Sequence, residues 1–258
     1  MIREHHHLIS NILHLLAGGA LGLVSASLCT YFGWRSADRL PGESRWPSCA
    51  FCLRDFTWQE ISPLFSWLLR PDTATFPCPC GLREGLWAQP AAEILGFVFG
   101  MIGMYLSGWS PMAAPLCIGL GLLIAIAVID MHFGIIPDGL NLLVAVSGFV
   151  WVWLSDGDIY MALIIAASML AIGLFCALVY SRWRGKEMLG LGDVKFFAAA
   201  GLWLQPEIAP WFLGLAGFIG AVIGIIRKRM TGDEQSPFAP ALCFSLVLCV
   251  LYQITQMP

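Results

Sequence analysis

Long apolar runs alternate along this chain with short polar breaks. A membrane-spanning helix needs about 20 apolar residues, within roughly 17–25. Eight runs are candidates: 8–32, 91–106, 111–129, 140–154, 159–180, 194–204, 208–226 and 238–254. The fourth and sixth are short, and the sixth reaches spanning length only if it begins near Met188. Between the first and second runs lies the only long polar stretch, 33–90, with six Arg, six acids and four Cys. The pattern predicts an all-α polytopic membrane protein of about eight transmembrane helices with a small cytoplasmic zinc-binding loop domain. Its parts are a first transmembrane helix (1–32), a cysteine-rich loop (33–90) and a seven-helix membrane domain (91–258).

Composition agrees. Hydrophobic residues make up 58% of the chain and charged ones only 12%, against roughly 25% charged in a soluble domain. Mean hydropathy is +0.76. The net charge of -3 gives no reason to expect a nucleic-acid partner. The first run lacks the basic flank and short apolar core of a cleaved signal and reads as a retained helix. His5-His6-His7 is too short to argue a metal clip and reads as a polar terminus.

Charge placement orients the helices. With 33–90 in the cytoplasm and eight spans alternating, Arg182, Arg184, Lys186, Lys195 and Arg227-Lys228-Arg229 also fall inside. The loops left outside, 107–110, 155–158 and 205–207, hold no Lys or Arg. Of the 14 basic residues only Arg3 escapes the cytoplasmic side, a positive-inside pattern. The same orientation puts Asp130 and Asp193 at one cytoplasmic face.

Nine Cys are present. Cys29, Cys117, Cys176, Cys243 and Cys249 lie in apolar runs, where a thiol packs as a small hydrophobe. Cys49-Ala50-Phe51-Cys52 and Cys78-Pro79-Cys80 lie in the loop. A cytoplasmic loop is reducing, so disulfides are disfavoured. Two thiol pairs on short turns match a structural zinc site with four ligands, although the second pair is tighter than usual. Unligated thiols are the alternative, and redox chemistry a lesser one because no βαβ pattern surrounds the first pair. A loop this size has little core, so a metal would supply much of its folding free energy.

The acids carry the candidate chemistry. Asp130 sits where an uncharged run of 19 residues, 111–129, ends. Gly134, Pro137 and Asp138 follow it, and Asp193 closes Gly190-Leu191-Gly192-Asp193. Carboxylates at the edge of membrane helices are costly and therefore functional candidates. Two at one face could share a proton, giving the acid and base that an aspartic hydrolase needs. Ordinary polar loop ends are the plain alternative. Gly190 and Gly192 could let the backbone approach a substrate closely, relieve the turn into the helix, or serve helix packing. Lys195 could hold a carboxylate or carbonyl, or reach toward lipid headgroups, its commoner role. Glu93 near a helix start is favoured there by the helix dipole, with a role toward substrate the equal alternative. Trp109, Trp151 and Trp203 read as interfacial anchors.

Taken together, these residues resemble the bacterial type IV prepilin peptidase family, GxGD-type aspartic proteases of the inner membrane. The likeness runs through most of the chain. It includes Arg39-Leu40-Pro41 before the cysteine loop, Ser62 to Leu68 between the pairs, and Pro90-Ala91-Ala92-Glu93 at the second helix. Ile129-Asp130 with Pro137-Asp138 resembles the first catalytic motif, and Gly185-Lys186-Glu187 leading to Gly190-Leu191-Gly192-Asp193-Val194-Lys195 the second. Ser236-Pro237-Phe238-Ala239-Pro240 is similar to the segment before the family's last helix, with Ala239 where a Gly is usual.

The resemblance implies Asp130 and Asp193 as catalytic aspartates, with Asp138 supporting. It implies cleavage of a basic leader from prepilins or pseudopilins at the cytoplasmic face, with the substrate's apolar helix in the lipid bilayer. Many members also methylate the new N-terminus with S-adenosylmethionine. Here the family's Gly-Ser-Phe-x-Asn stretch reads Thr30-Tyr31-Phe32-Gly33-Trp34, so the expectation is a peptidase that methylates weakly or not at all. Two other classes compete. A transporter or channel would also carry membrane acids, though acids at one face and no inverted repeat speak against it. An inactive assembly scaffold need not keep both acids.

Overall fold

The computed structural model describes residues 2–37, 88–184, 190–231 and 236–256. Among them are eight α-helices and no strand: α1 (Ile2–Ala37), α2 (Ala88–Ser107), α3 (Ala113–Phe133), α4 (Asp138–Leu154), α5 (Ile159–Arg184), α6 (Leu191–Gly201), α7 (Ala209–Thr231) and α8 (Ala239–Gln256). Each apolar run has its helix. α1 continues to Ala37, several residues into the stretch assigned to the loop. Among the described residues, six helices, α1, α2, α3, α5, α7 and α8, are long and apolar enough to cross a membrane. α4 is apolar but has 17 residues, and α6 has only 11. At 1.5 Å per residue α6 is about 16 Å long, roughly half of a hydrocarbon core. The run 194–204 is therefore not a spanning helix by itself. α6 starts earlier, at Leu191, and stops at Gly201.

α3 lies at the centre and packs against α1, α2, α4 and α8. It is apolar on every side, and such a helix belongs inside. α1 and α2 cross where Gly18 and Gly22 meet Gly96 and Gly100, backbone on backbone. Lipid is as apolar as a side chain, so close packing of small residues drives such a contact. α5 packs on α6, and α7 on α8.

The depth that α6 does not reach is filled by the chain that follows it. Backbone at this depth must find its hydrogen bonds within the protein. Gln253 of α8, 2% exposed, accepts the Gln205 N–H at 2.9 Å and donates to the Trp203 carbonyl at 3.3 Å. The Trp203 indole N–H donates to the Val144 carbonyl at 3.0 Å. Gly119 and Gly148 leave room for that indole, and Trp151 stacks on it at 5.7 Å. Trp203 and Trp151 are each 3% exposed. They are core residues, which corrects their reading as interfacial anchors: the indole N–H has a carbonyl partner and needs no headgroup. Trp109 does lie exposed, stacked on His14.

All eight helices alternate in direction. The C-terminal end of α3 and the N-termini of α4, α6 and α8 meet at one end of the bundle. Gln253 and the 203–205 turn mark the other.

Candidate active site

Asp130 occupies the last turn of α3 and is 5% exposed. Gly134 ends that helix with φ 66° and ψ 26°, its N–H donating to the Asp130 carbonyl at 2.8 Å. This left-handed cap costs a glycine nothing. Pro137 then keeps Ile136 out of helical geometry, and α4 begins at Asp138. The Asp130 side chain is held from another helix: Oδ2 accepts the N–H of Ala239, the first residue of α8, at 2.9 Å. That N–H is one of the four a helix leaves without an internal partner, and the helix pole there favours an anion. The proline-flanked 236–240 segment starts α8, and its structural product is this donor.

Asp193 lies in the first turn of α6, outside the six spans. Its Oδ2 accepts the N–H of Gly190 at 3.2 Å. Asp193 N–H in turn donates to the Gly190 carbonyl at 3.1 Å, so the turn is bonded both ways. Burial pushes the Asp193 carboxyl up, and the neighbouring charge of Asp130 pushes it further, to about 7, against the pull of the Gly190 N–H. The two acids thus share one site. Cys243, one turn beyond Ala239, lies within electrostatic reach of both.

The two glycines of the turn differ. A side chain on Gly192 would press on the Cβ and backbone of Ile136, as close as 3.2 Å. This contact within the protein seats the start of α6 on the loop after Asp130. Gly190 meets nothing tighter than Asp193 itself, at 3.4 Å. Lys195 pairs with Asp138 across α6 and α4, Nζ to Oδ1 2.7 Å. It reaches a carboxylate, one of the partners its position suggested. Beneath it Asn141, not singled out from the sequence, donates Nδ2 to the Gly192 carbonyl at 3.1 Å. Its signal was present: a lone amide in an apolar run, one turn after Asp138.

Glu93 lies apart from this site. It is fully buried, with Oε1 accepting the Ser27 hydroxyl at 2.7 Å. Burial between helices, rather than an exposed dipole position, describes it, which corrects the helix-start reading. Gly33 of the divergent 30–34 stretch packs against Ile129 and Leu140, beside the acid site. The four loop cysteines Cys49, Cys52, Cys78 and Cys80 lie outside the described residues, as do Arg39-Leu40-Pro41 and Gly185-Lys186-Glu187. Among the described residues no group of His, Cys, Asp or Glu could hold a metal ion.

Residues 117–225, which include both acids, Asp138 and the glycine turn, match the type IV leader peptidase family. The chain is similar to a prepilin leader peptidase/N-methyltransferase of Bacillus subtilis (strain 168), 30% identical over 80% of this chain and 81% of that one. The chain belongs to the type IV leader peptidase family. A prepilin leader peptidase/N-methyltransferase of Burkholderia pseudomallei (strain 1026b) is 31% identical over 76% of this chain, which spans 62% of that relative's length. One of Legionella pneumophila with the same name is 28% identical over 80% of this chain and 71% of its own. No solved structure matches. With six helices fit to cross a membrane, this family member is a multi-pass membrane protein.

Proposed function

We propose that the chain is a membrane aspartic endopeptidase that removes the basic leader of type IV prepilins or pseudopilins, with Asp130 and Asp193 as the catalytic pair. The observation that carries this reading is two carboxyls on different helices at one end of the bundle, Asp130 buried and Asp193 half-buried, with the charge of Asp130 acting on the Asp193 carboxyl. Like charges so placed do not ionise together easily. The site therefore favours one proton shared between two carboxyls. The ionised member takes a proton from water, and the water oxygen attacks the scissile carbonyl. The protonated member donates to the oxyanion or to the leaving amine, so the proton count balances over the cycle. Asp138, with Lys195, and the Gly190–Gly192 turn support the arrangement.

The chain lies in the inner membrane with this site at the cytoplasmic face, a reading supported by the basic residues clustered at that end. α4 and α6 then traverse with the other six, α6 from Val194 onward and completed by the 202–208 turn, with Asp193 at the cytoplasmic edge ahead of it. The loop 33–90 forms a cytoplasmic unit in which Cys49, Cys52, Cys78 and Cys80 bind one structural zinc, on the strength of their spacing. Metal analysis near one equivalent, with the thiols protected from alkylation, is the expected result; under half an equivalent with ready alkylation removes the zinc. Trp34 offers one donor and no acceptor where the family carries an amide, so the new N-terminus is methylated weakly or not at all from S-adenosylmethionine. Stoichiometric methylation of the mature substrate in mass spectra would reverse that expectation.

The test of the central reading is prepilin processing by gel shift in a host without another such peptidase. Wild type should cleave, and Asp130→Ala and Asp193→Ala should not. Cleavage by both variants would reject the catalytic pair.

A further inference from the structure

Asp193 reaches its place through its backbone, and the peptide unit just before it is bonded at both ends. Its N–H, on Asp193, donates to the Gly190 carbonyl at 3.1 Å. Its carbonyl, on Gly192, accepts Asn141 Nδ2 at 3.1 Å. A peptide plane is stiff, so these two bonds together fix the Cα that carries the Asp193 side chain. The first bond stays within the turn and would travel with α6 wherever it moved. The second ties the turn to α4, and through the short 134–137 connection to the helix of Asp130.

Asn141 does this from inside the protein. It is 5% exposed, and its Oδ1 is buried with no hydrogen-bond partner among the described residues. An apolar side chain at this place would carry no unmatched Oδ1 of its own, so packing alone does not account for an amide. The orientation is fixed, because the reversed amide would set two acceptors against each other. The other links between these elements differ in kind. Lys195 and Asp138 are 51% and 72% exposed and open to screening, and the contact of Gly192 with Ile136 is steric. Asn141, itself buried, supplies the directional bond.

We infer that Asn141 is a positioning residue of the peptidase: its amide donor, bonded to the Gly192 carbonyl, sets where Asp193 stands relative to Asp130. This rests on the reading of those two residues as the catalytic pair. Asn141 acts through Gly192, so its loss should lower turnover and leave substrate binding alone. Misplacement of a reacting group by about 1 Å can cost on the order of 100-fold.

The test uses the full chain in detergent or nanodiscs with a purified prepilin, following kcat and KM across the pH range around neutrality. Asp193→Ala runs beside it, and unfolding midpoints report folding. Asn141→Leu is expected to lower kcat by roughly 10–100-fold with KM within about two-fold of wild type. Asn141→Asp keeps the shape but changes the donor. Its carboxylate cannot donate to Gly192, whereas its neutral carboxyl can. Its kcat relative to wild type should therefore rise as pH falls, and that of Asn141→Leu should stay flat. With Asp193→Ala inactive, a wild-type kcat for Asn141→Leu, an effect on KM alone, or a wild-type pH profile for Asn141→Asp overturns the inference and leaves the catalytic pair standing. Normal cleavage by Asp193→Ala overturns both.

Discussion

The two ends of the bundle bury polar groups in opposite ways. At the end marked by Gln253, both atoms of the amide are bonded, and the Trp203 indole has its carbonyl. At the end marked by Asp130 and Asp193, one carboxyl lies within the field of the other. Thr30, Asn141 and Ser236, at that end too, each keep a buried oxygen without a partner among the described residues. A fully bonded network gives a rigid, unique packing, and a partly bonded one costs stability. Proteins accept that cost mainly where chemistry needs it. The first end therefore builds the fold, and the second is held by it.

Substitutions can break this division cleanly. Asp130→Asn and Asp193→Asn should each reduce prepilin processing by about 10²–10⁴-fold, the usual worth of a general acid or base, with the unfolding midpoint unchanged or higher. Trp203→Ala should do the reverse. It removes an indole stacked on Trp151 and seated on two glycines, at a cost of about 3–5 kcal/mol, while kcat per folded molecule stays near wild type. Gel-shift kinetics and thermal unfolding on the same preparations check both. An intact but inactive Trp203→Ala, or an active Asp→Asn variant, would erase the contrast.

Much of this was legible in the chain. Apolar runs announced every helix, because a spanning segment must be apolar over its whole length. Asp130, Asp138 and Asp193 stood out because charge in such runs is rare. Trp203 and Trp151 were misread, because a tryptophan near a helix end is an anchor or a core residue according to what lies opposite. Only the fold brings Gly119 and Gly148 to the indole. Ala239 was invisible for another reason: its contribution is a backbone N–H, which any residue but proline could supply. Asn141 carried a signal, but its partner is a carbonyl 51 residues away.

A pH series sharpens the contrast. The Asp193 carboxyl is raised from an ordinary value of 3.8 to about 7, by burial first and by Asp130 second. The folded chain thus holds this proton at pH values where the unfolded chain has lost it. Its contribution to stability is whole below 3.8, falls as pH rises, and is gone above about 7. Turnover should fall along an alkaline limb near the same value, a limb that belongs to the pair rather than to one residue. In Asp130→Asn the like charge is gone, so the stability decline should move to lower pH. An unmoved decline would mean that the two acids do not sense each other.

The smallest effect belongs to the pair of Lys195 and Asp138. Their contact is short, 2.7 Å, yet both side chains are largely exposed. Exposed ion pairs contribute only about 0.2–1 kcal/mol, and salt weakens them further. Lys195→Met and Asp138→Asn should therefore lower stability by no more than this, and the double variant should cost about as much as either single one. Turnover should drop by only a few-fold, since the bond from the buried Asn141 still holds the turn. Moderate salt should bring the wild type toward the single variants. Should either variant instead match the loss expected of Asp193→Asn, Lys195 or Asp138 takes part in the chemistry itself, and the boundary between the reacting groups and their supports must be drawn further out.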